Sequence, residues 1–466
     1  MERTKRYVTE LILGAKGEAS AAPKGTNPIF DQMRGIDWPI RCTVGPGLEG
    51  AIACKSRVGF VNGSEGTLIY RGYDIFDLCA HSTFEEVSYL LLYGDLPTER
   101  QLASFESRLN EYRFLPNTLR TLMNAPVERM NPMAALRLGT NLMHQRQTWR
   151  DSEDARPSLE DAIASDEDSI PMETRPTGER HAIYEFQRRH LRRPSDPRLA
   201  PDDAESMDSC IHLIAGMATL AAAIGRLRRG RLPIEPDPEL GHAANLLYMM
   251  TGRRPTPVEE RVMDVSLILH ADHGMNASTF ACLVVASTMS DIYFSVDAGI
   301  GALNGPLHGG ANEEVTRVLR EIGSPEGVKE WYNTARSSGR KVPGFGHRVY
   351  KTYDPRARVL GPLAGMMAES NPNCDKMYSI AKRLEEEVVS DLGMEKKIFP
   401  NVDYYSGIVY HAMGVPGDLY TVLFAVSRVA GWTARVMEYL ENNRIFRPRS
   451  LYVGEFDREY VPLENR

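Results

Sequence analysis

Apolar side chains recur at helical spacing along most of the chain, from "TFEEVSYLLLY" onward. In "PVEERVMDVSLILH", for example, Val258, Val262, Val265 and Leu269 share one helical face, and acids occupy the first turn, where the helix dipole favours them. Only "RVGFVNGSEGTLIYRGYDI" shows short alternating runs, on either side of Asn-Gly, which predicts a β-hairpin. The pattern therefore predicts a mainly α fold with one small N-terminal hairpin.

Two long apolar segments predict helices of the core. "IHLIAGMATLAAAIGRL" (211–227) is too short and too rich in Gly and His to span a bilayer comfortably. "DLYTVLFAVSRVAGWTARVMEYLE" (418–441) is apolar on all sides, as is typical of a fully buried helix. Arg428 lies in that segment with no acid three or four residues away. Either a distant Asp or Glu or an acidic ligand must neutralise its charge, because desolvating a guanidinium is costly.

Two other segments depart from the helical pattern. Residues 1–45 mix Gly, Pro and charged side chains, which indicates an irregular N-terminal arm. Within 148–206, nine acids and one base (151–173) are followed by seven arginines (174–200). Such charge blocks are typical of a solvated, partly disordered insertion, and a regulatory or partner-binding arm is the alternative.

Composition and charge exclude several classes of protein. The length of 466 residues suggests two or three structural units. Apolar residues at 42% and charged residues at 25% are typical of a soluble protein, and the net charge of −7 argues against nonspecific nucleic-acid binding. Six cysteines without C-x-x-C spacing favour reduced thiols in the cytoplasm over a zinc ribbon or a disulfide framework. The N-terminus carries acids and only a short apolar run, so it predicts neither a secretory signal nor a transit peptide.

Histidines and one aspartate carry the candidate chemistry. His270 and His273 in "HADHGMNAST" lack the third ligand of a metal site, so no metal is predicted. His308 in "GPLHGGANEEV" precedes a predicted helix start, which disfavours the cation and leaves an imidazole that can donate to a carbonyl. Asp403 in "FPNVDYYSG" lies among aromatic residues, where desolvation raises the pKa of a carboxylate and makes it a stronger base. Considered singly, each is better explained as a core histidine or a capping aspartate.

Together, these segments resemble the citrate synthase family in order and spacing. The matching stretches are "HADHGMNAST", "GPLHGGANEEV", "PGFGHRVYKTYDPRA", "PNVDYYSG", "TVLFAVSRVAGW" and "RPRSLYVG". The resemblance covers nearly the whole chain except the N-terminal arm and the 148–206 insertion. It implies a citrate synthase-like two-domain helical fold: a large domain of 46–309 and 411–466, a small domain of 310–410, and a cleft between them that closes over substrates.

The resemblance also implies an enzyme activity with named residues. The family condenses oxaloacetate with acetyl-CoA through an enol and hydrolyses citryl-CoA to citrate and CoA, a reaction of the tricarboxylic acid cycle. Asp403 matches the base that removes a proton from the acetyl methyl group. His308 matches the residue that hydrogen-bonds the thioester oxygen. His347 matches the residue that polarises the oxaloacetate ketone and supplies a proton to the new alkoxide.

Basic residues match the family's substrate ligands. His273, Arg356 and Arg428 match ligands of the oxaloacetate carboxylates, and Lys351 falls where the family places a basic residue near CoA phosphate. Arg447 matches an arginine donated by the partner subunit, which implies a homodimer or a higher homo-oligomer. Acetyl-CoA would be a co-substrate, with no permanently bound cofactor. The remaining bases of "PGFGHRVYKTYDPRAR", Arg348 and Arg358, are predicted to be solvated or ion-paired.

Two departures and two alternatives accompany the resemblance. Gly274 stands where relatives often have Glu, and "NPM" (131–133) stands where they often have His. A 2-methylcitrate synthase would use propionyl-CoA with the same catalytic residues, since one methylene gives only a few kcal/mol of discrimination. A noncatalytic CoA- or citrate-binding relative is the other alternative. Such a protein would need the arginines but not the base, and the sequence has both.

Overall fold

The structure is a computed structural model that describes residues 2–22, 38–148, 203–369 and 372–466. Within them the chain is helical apart from one small sheet and the loops, which confirms the predicted mainly α fold. The predicted insertion, 148–206, lies almost entirely outside the described residues.

The α-helices of the described residues run in chain order. They are α1 Glu2–Ala21, α2 Ile75–His81, α3 Phe84–Tyr93, α4 Glu99–Tyr112, α5 Pro116–Leu122, α6 Pro132–Thr148, α7 Asp203–Leu227, α8 His242–Thr251, α9 Pro257–His270, α10 Ala277–Ala286, α11 Ile292–Leu303, α12 Ala311–Ile322, α13 Val328–Ser337, α14 Pro355–Glu369, α15 Pro372–Val388, α16 Met394–Lys396, α17 Val402–Ala412 and α18 Tyr420–Leu440. A π-turn follows α15, and single 3₁₀ turns occur at Pro46–Leu48, Pro325–Gly327, Gly417–Leu419 and Leu463–Asn465. The strands are β1 Gly59–Asn62, β2 Thr67–Tyr70 and β3 Tyr73–Asp74.

The sheet is antiparallel, in the order β1-β2-β3. Asn62 pairs with Thr67 at the closed end of β1 and β2, which confirms the predicted hairpin. The short strand β3 was not predicted. It continues the hairpin through Tyr73, which pairs with Tyr70.

The hairpin is attached to two loops that carry candidate site residues. The hydroxyl of Tyr70 donates to the carbonyl of Asp272 at 2.8 Å, one residue before His273. At the hairpin turn, the carbonyl of Gly63 accepts the N–H of Lys351 at 2.9 Å. The sheet therefore buttresses both loops, and Leu68 and Tyr70 of β2 are buried in the core.

The helices predicted from periodicity are confirmed, and α9 has a side-chain cap at its N-terminus. Thr256 and Glu259 form a capping box at the start of α9, in which each side chain accepts the backbone N–H of the other residue. The apolar segment 211–227 forms the C-terminal part of α7. The part of α7 from Met207 to Leu227 is long and apolar enough to span a membrane. Most of this part is buried inside the fold, as is typical of a core helix.

Helix α18 is the central element of the core. It packs against α3, α7, α9, α10 and α11 and is buried on all sides between Val422 and Val436, as its sequence predicted. Trp432 is completely buried, and Arg428 is 1% exposed. The guanidinium of Arg428 is therefore held in the interior of the protein.

The interpretation of residues 1–45 as an irregular arm is wrong for residues 2–21, which form α1. Val8, Ile12 and Ala15 make a narrow apolar stripe at helical spacing, and this stripe is buried against α2, α9 and α14. The hydroxyl of Thr9 donates to the carbonyl of Ala80 at 2.9 Å. Packing onto the rest of the protein stabilises a helix whose glycines and charges gave a weak signal.

The buried apolar side chains form one continuous cluster that extends from Val8 to Val436. It includes side chains of 310–410 as well as side chains of 46–309 and 411–466. The division into a large and a small domain at these boundaries therefore stays a prediction.

Candidate active site

The structure gathers six of the predicted site residues around the middle of α18. His273 follows the end of α9, His308 precedes α12, and His347 lies in the loop before α14. Arg356 and Asp403 occupy the first turns of α14 and α17, and Arg428 is central in α18. Five chain segments far apart in sequence thus converge, with His347 and Arg356 in the same one, and the charges of these residues act on one another, as the following pKa shifts show.

His347 is held as a neutral imidazole of defined tautomer. Its Nδ1 accepts the backbone N–H of Val349 at 3.0 Å and that of Tyr350 at 3.2 Å. The ring proton therefore resides on Nε2, which is left as a donor. Burial lowers the pKa of His347 to about 4, and the positive charge of Arg356 acts in the same direction.

His308 is also neutral, with the opposite tautomer. Its Nε2 accepts the backbone N–H of Ser278 at 3.2 Å and lies 2.9 Å from the Ser278 hydroxyl, so the proton is on Nδ1. Burial and then the charge of Arg428 lower the pKa of His308 to about 4. The lowered pKa agrees with the neutral state predicted for His308. The helix N-terminus that His308 contacts is not that of α12, as the sequence suggested, but that of α10, which Asn276 caps.

Asp403 has the properties of a base in a desolvated site. Burial raises the pKa of Asp403 to about 7, while the charge of Arg356 opposes this shift. Its Oδ1 is buried and has no hydrogen-bond partner among the described residues. The backbone N–H of Asp403 donates to Oδ1 of Asn401 at 3.0 Å, which caps α17. Oδ1 of the carboxylate is thus left unsatisfied while the backbone of Asp403 is fixed.

Arg428 is a buried guanidinium without a counter-ion. Its Nε donates to the carbonyl of His270 at 2.6 Å, and its Nη2 is buried without a hydrogen-bond partner. It forms no ion pair with any carboxylate of the described chain, and burial lowers the pKa of Arg428 to about 10. Asp272 is the nearby carboxylate that favours its charge, but both Asp272 oxygens bind Arg435. Of the two sequence-based alternatives, an acidic ligand is therefore the better supported.

Arg356 and His273 line the same space. Arg356 donates through Nε and Nη2 to Asp354 at 3.0 and 2.7 Å, which orients the guanidinium and leaves its Nη1 without a hydrogen bond to a described residue. Nε2 of His273 lies 3.2 Å from the Tyr350 hydroxyl, and the His273 and His347 ring centres are 5.2 Å apart. Burial, followed by the charges of Arg356, His347 and Arg428, holds the pKa of His273 well below its usual range.

Sequence reasoning missed a buried ion pair that supports the site. Arg435 binds Asp272 through two hydrogen bonds of 2.7 Å, and it also donates to Ser56. Asp272 immediately precedes His273, so this pair fixes the loop that carries the histidine. A signal was present, because Arg435 lies seven residues after Arg428 and therefore near the same face of α18.

Lys351 and Arg447 lie outside this cluster. Lys351 is exposed at the surface, and its Nζ lies 3.4 Å from the carbonyl of His347. Arg447 is exposed in the segment after α18 and makes no hydrogen bond or ion pair with the six clustered residues. Arg348 lies 3.8 Å from Glu49 with its side chain exposed, as predicted for a solvated or ion-paired base.

Arg358 is more enclosed than Arg348. It lies 4.0 Å from Glu18 and stacks over the Tyr353 ring, with its Cζ 4.5 Å from the ring centre. An ion-paired side chain was one of the two states predicted for Arg358.

The described residues contain no cluster of His, Cys, Asp and Glu that could hold a metal ion. His270 is completely buried, with Nδ1 2.7 Å from the carbonyl of Ser266.

The arrangement suits proton abstraction next to a carbonyl on a substrate held by positive charge. Asp403 can remove a proton, and Nδ1 of His308 can donate to the oxygen on which negative charge develops. Nε2 of His347 can donate to a second carbonyl. Arg428, Arg356 and His273 can bind carboxylates.

Comparisons with known proteins agree with this chemistry. The family model "Citrate synthase, C-terminal domain" matches residues 47–449. The chain is 38% identical to the citrate synthase of Haloferax volcanii over 422 residues, which cover 90% of this chain and 98% of the relative. It is 37% identical to citrate synthase 2 of Bacillus subtilis over 421 residues, with the same two coverages.

Solved structures are similar over most of the chain. The citrate synthase of Pyrobaculum aerophilum matches with a TM-score of 0.75 and 39% identity, covering 93% of this chain and 100% of that one. The citrate synthase of Thermoplasma acidophilum, solved as a ternary complex with carboxymethyl-CoA and oxaloacetate, matches with a TM-score of 0.75 and 33% identity. That match covers 91% of this chain and 100% of the other.

Proposed function

The chain belongs to the citrate synthase family, and we propose that the cluster around Arg428 is the active site in which it makes citrate from oxaloacetate and acetyl-CoA. The enzyme is an acyltransferase that condenses the two substrates and hydrolyses the citryl-CoA formed. The observation that carries the site assignment is the buried guanidinium of Arg428, which has no counter-ion among the described residues.

Oxaloacetate provides the charges that this cluster lacks. It is a dianion, and Arg428, the Nη1 edge of Arg356 and His273 would bind its carboxylates. Two guanidiniums supply hydrogen bonds as well as charge, so they orient the ketone beside His347. The ternary complex of the Thermoplasma relative with oxaloacetate and a CoA derivative supports this choice of ligands.

Enolisation of acetyl-CoA would use Asp403 and His308. The Asp403 carboxylate takes a proton from the acetyl methyl group, and a pKa of about 7 makes it a stronger base than an exposed aspartate. The N–H at Nδ1 of His308 donates to the thioester oxygen, which carries the developing negative charge. A neutral imidazole suits this step because its proton is shared rather than lost.

Condensation would follow at the ketone of oxaloacetate. The enol carbon forms a bond to the ketone carbon, and the ketone oxygen takes the Nε2 proton of His347 as it becomes a hydroxyl. Water then attacks the thioester of citryl-CoA, and the C–S bond breaks to release citrate and CoA. The two protons of this water and the one held by Asp403 restore Nε2 of His347, protonate the CoA thiolate and leave one proton in solution. The two backbone N–H groups at Nδ1 of His347 keep its proton on Nε2, the nitrogen that donates.

A homodimer would complete the site. Arg447 is exposed and bonds to none of the six clustered residues, and it belongs to a segment that presents apolar side chains to solvent, among them Leu451, Val453 and Phe456. Such exposed apolar side chains favour packing against a second copy.

Lys351, which is exposed beside His347, would meet a phosphate of CoA. The six cysteines form no disulfide in the structure, which supports a reducing, cytoplasmic environment.

A thiol-release assay tests the function. Purified protein should release CoA from acetyl-CoA only when oxaloacetate is present, and more slowly from propionyl-CoA. Much faster release with propionyl-CoA would contradict the choice of acyl group and favour 2-methylcitrate synthesis. Absence of release with either acyl-CoA would favour a noncatalytic binding protein.

A further inference from the structure

One asparagine joins the two segments that carry His347 and Asp403. We propose that Asn401 is a positioning residue, whose carboxamide sets the distance between the proton donor to the ketone and the base. This inference rests on the roles proposed for His347 and Asp403. Asn401 itself would touch neither substrate.

Both ends of the Asn401 side chain are engaged. Its Nδ2 donates to the carbonyl of Gly346 at 2.9 Å, and its Oδ1 accepts the N–H of Asp403 at 3.0 Å. Gly346 directly precedes His347. A single planar amide therefore connects the peptide unit next to one catalytic group with the backbone of the other, because a carboxamide has its donor and its acceptor on separate atoms and can make both bonds at once.

The surrounding backbone continues this connection. The N–H of Asn401 donates to the carbonyl of Gly344, and the N–H of Gly346 donates to the carbonyl of Phe399, both at 2.9 Å. These bonds flank an isolated antiparallel bridge between Phe345 and Pro400. The glycine turn before His347 is thus paired with the segment that leads into α17.

The glycine turn is tightly packed at Gly344 but has space at Gly346, where a Cβ would meet no atom within 4 Å, so the Gly346 peptide can move if the carboxamide is lost. Gly344 and Gly346 have φ angles of 78° and 79°, which favour glycine. A Cβ on Gly344 would lie 2.7 Å from a methyl carbon of Val315 and 2.8 Å from the Tyr404 ring, so the turn is closely packed. Asn401 then determines how the Gly346 carbonyl, and with it His347, faces Asp403.

The expected consequence is a loss in turnover rather than in oxaloacetate affinity. The proposed carboxylate ligands Arg428 and His273 are not hydrogen-bonded to Asn401, so the binding of oxaloacetate should change little. A displacement of about 1 Å between reacting groups costs roughly a hundredfold in rate. The loss should therefore appear in kcat.

Two substitutions separate the two ends of the carboxamide. Asn401→Ser keeps an oxygen that can cap α17 but cannot reach Gly346, whereas Asn401→Ala removes both interactions. We expect N401S to lower kcat by roughly tenfold to a hundredfold, with KM for oxaloacetate within about twofold of wild type. N401A should lower kcat at least as much and reduce the melting temperature as well.

A control variant accounts for the loss of a helix cap alone. Thr98→Ala removes an N-cap in α4, a helix that carries none of the proposed site residues, and should lower the melting temperature without changing kcat. Wild-type kcat in folded N401S would overturn the proposal, as would an N401S variant that fails to fold. If wild-type protein releases no CoA, the proposed function itself fails, and that result does not depend on any variant.

Discussion

Replacing Arg428 by Met should make the protein more stable and at the same time unable to bind oxaloacetate. The side chain is buried, and among the described residues it forms no ion pair and leaves Nη2 without a hydrogen bond. Such opposite effects on stability and binding are expected only if the charge is retained for a ligand. An ordinary buried ion pair would lose stability on the same substitution.

The magnitude follows from the desolvation of the guanidinium. Burial lowers the pKa of Arg428 to about 10, so keeping the charge in the folded protein costs roughly 3 kcal/mol. Arg428→Met removes this cost and fills a similar volume, but it leaves the carbonyl of His270 without its donor, a loss of about 1 kcal/mol. The net expectation is an increase of about 1–2 kcal/mol in the free energy of unfolding.

Binding should change in the opposite direction. Removing one partner of a buried charge pair costs about 2–5 kcal/mol, so the Kd for oxaloacetate should rise by roughly 30-fold to several thousandfold. Chemical denaturation gives the stability, and calorimetric titration with oxaloacetate gives the Kd. Oxaloacetate should raise the melting temperature of wild-type protein but not that of R428M.

Arg435→Met is the matched control, because it lies on the same helix and is buried to a similar extent. It leaves Asp272 as an unpaired buried carboxylate, so stability should fall by about 3–5 kcal/mol. An R428M variant that loses stability as R435M does, and still binds oxaloacetate, would refute the reasoning.

Four further predictions follow from the site, from α1 and from the insertion. Asp403→Asn should retain the Kd for oxaloacetate and lose turnover, since it removes the base and leaves the anion ligands; unchanged turnover would contradict the assigned role. Because Asp403 must be ionised to act and its raised pKa is about 7, kcat/KM for acetyl-CoA should rise with pH through about 7 and level off above it. A profile flat from pH 5 to 8 would argue against this base. Ile12→Ala should lower the free energy of unfolding by about 2–5 kcal/mol in denaturant titrations, whereas Leu13→Ala, at a position 40% exposed on the same helix, should change it little. Deleting 150–203 should leave the CoA-release rate unchanged, and a deletion variant that fails to fold would show that the segment is structural.

The helices of the core could be predicted from the sequence because the signal is local. Apolar residues at helical spacing predict α9 and α18 whatever their neighbours, and Asn-Gly predicts the hairpin. Helix α1 was missed because its apolar stripe is narrow, and its stability depends on packing against α2 and α14.

The candidate site was predicted in its residue types more than in its interactions. The motifs indicated the histidines, the aspartate and the arginines, and the desolvation of Asp403 was predicted from its aromatic neighbours. The Asp272–Arg435 pair and the link from Asn401 to Gly346 were missed. Their partners are 163 and 55 residues apart in the chain, beyond the reach of any local pattern.

The sequence by itself therefore determined the helical class of the fold, the family and the set of reactive groups. Only the tertiary structure decided which nitrogen of each histidine bears the proton, because that depends on backbone N–H groups that the fold brings to His308 and His347. It also decided that Arg428 has no counter-ion in the described part of the chain, since the nearby carboxylate, Asp272, is bound by Arg435. Hydrogen-bond partners and burial depend on distances between remote segments, and those distances exist only in the folded protein.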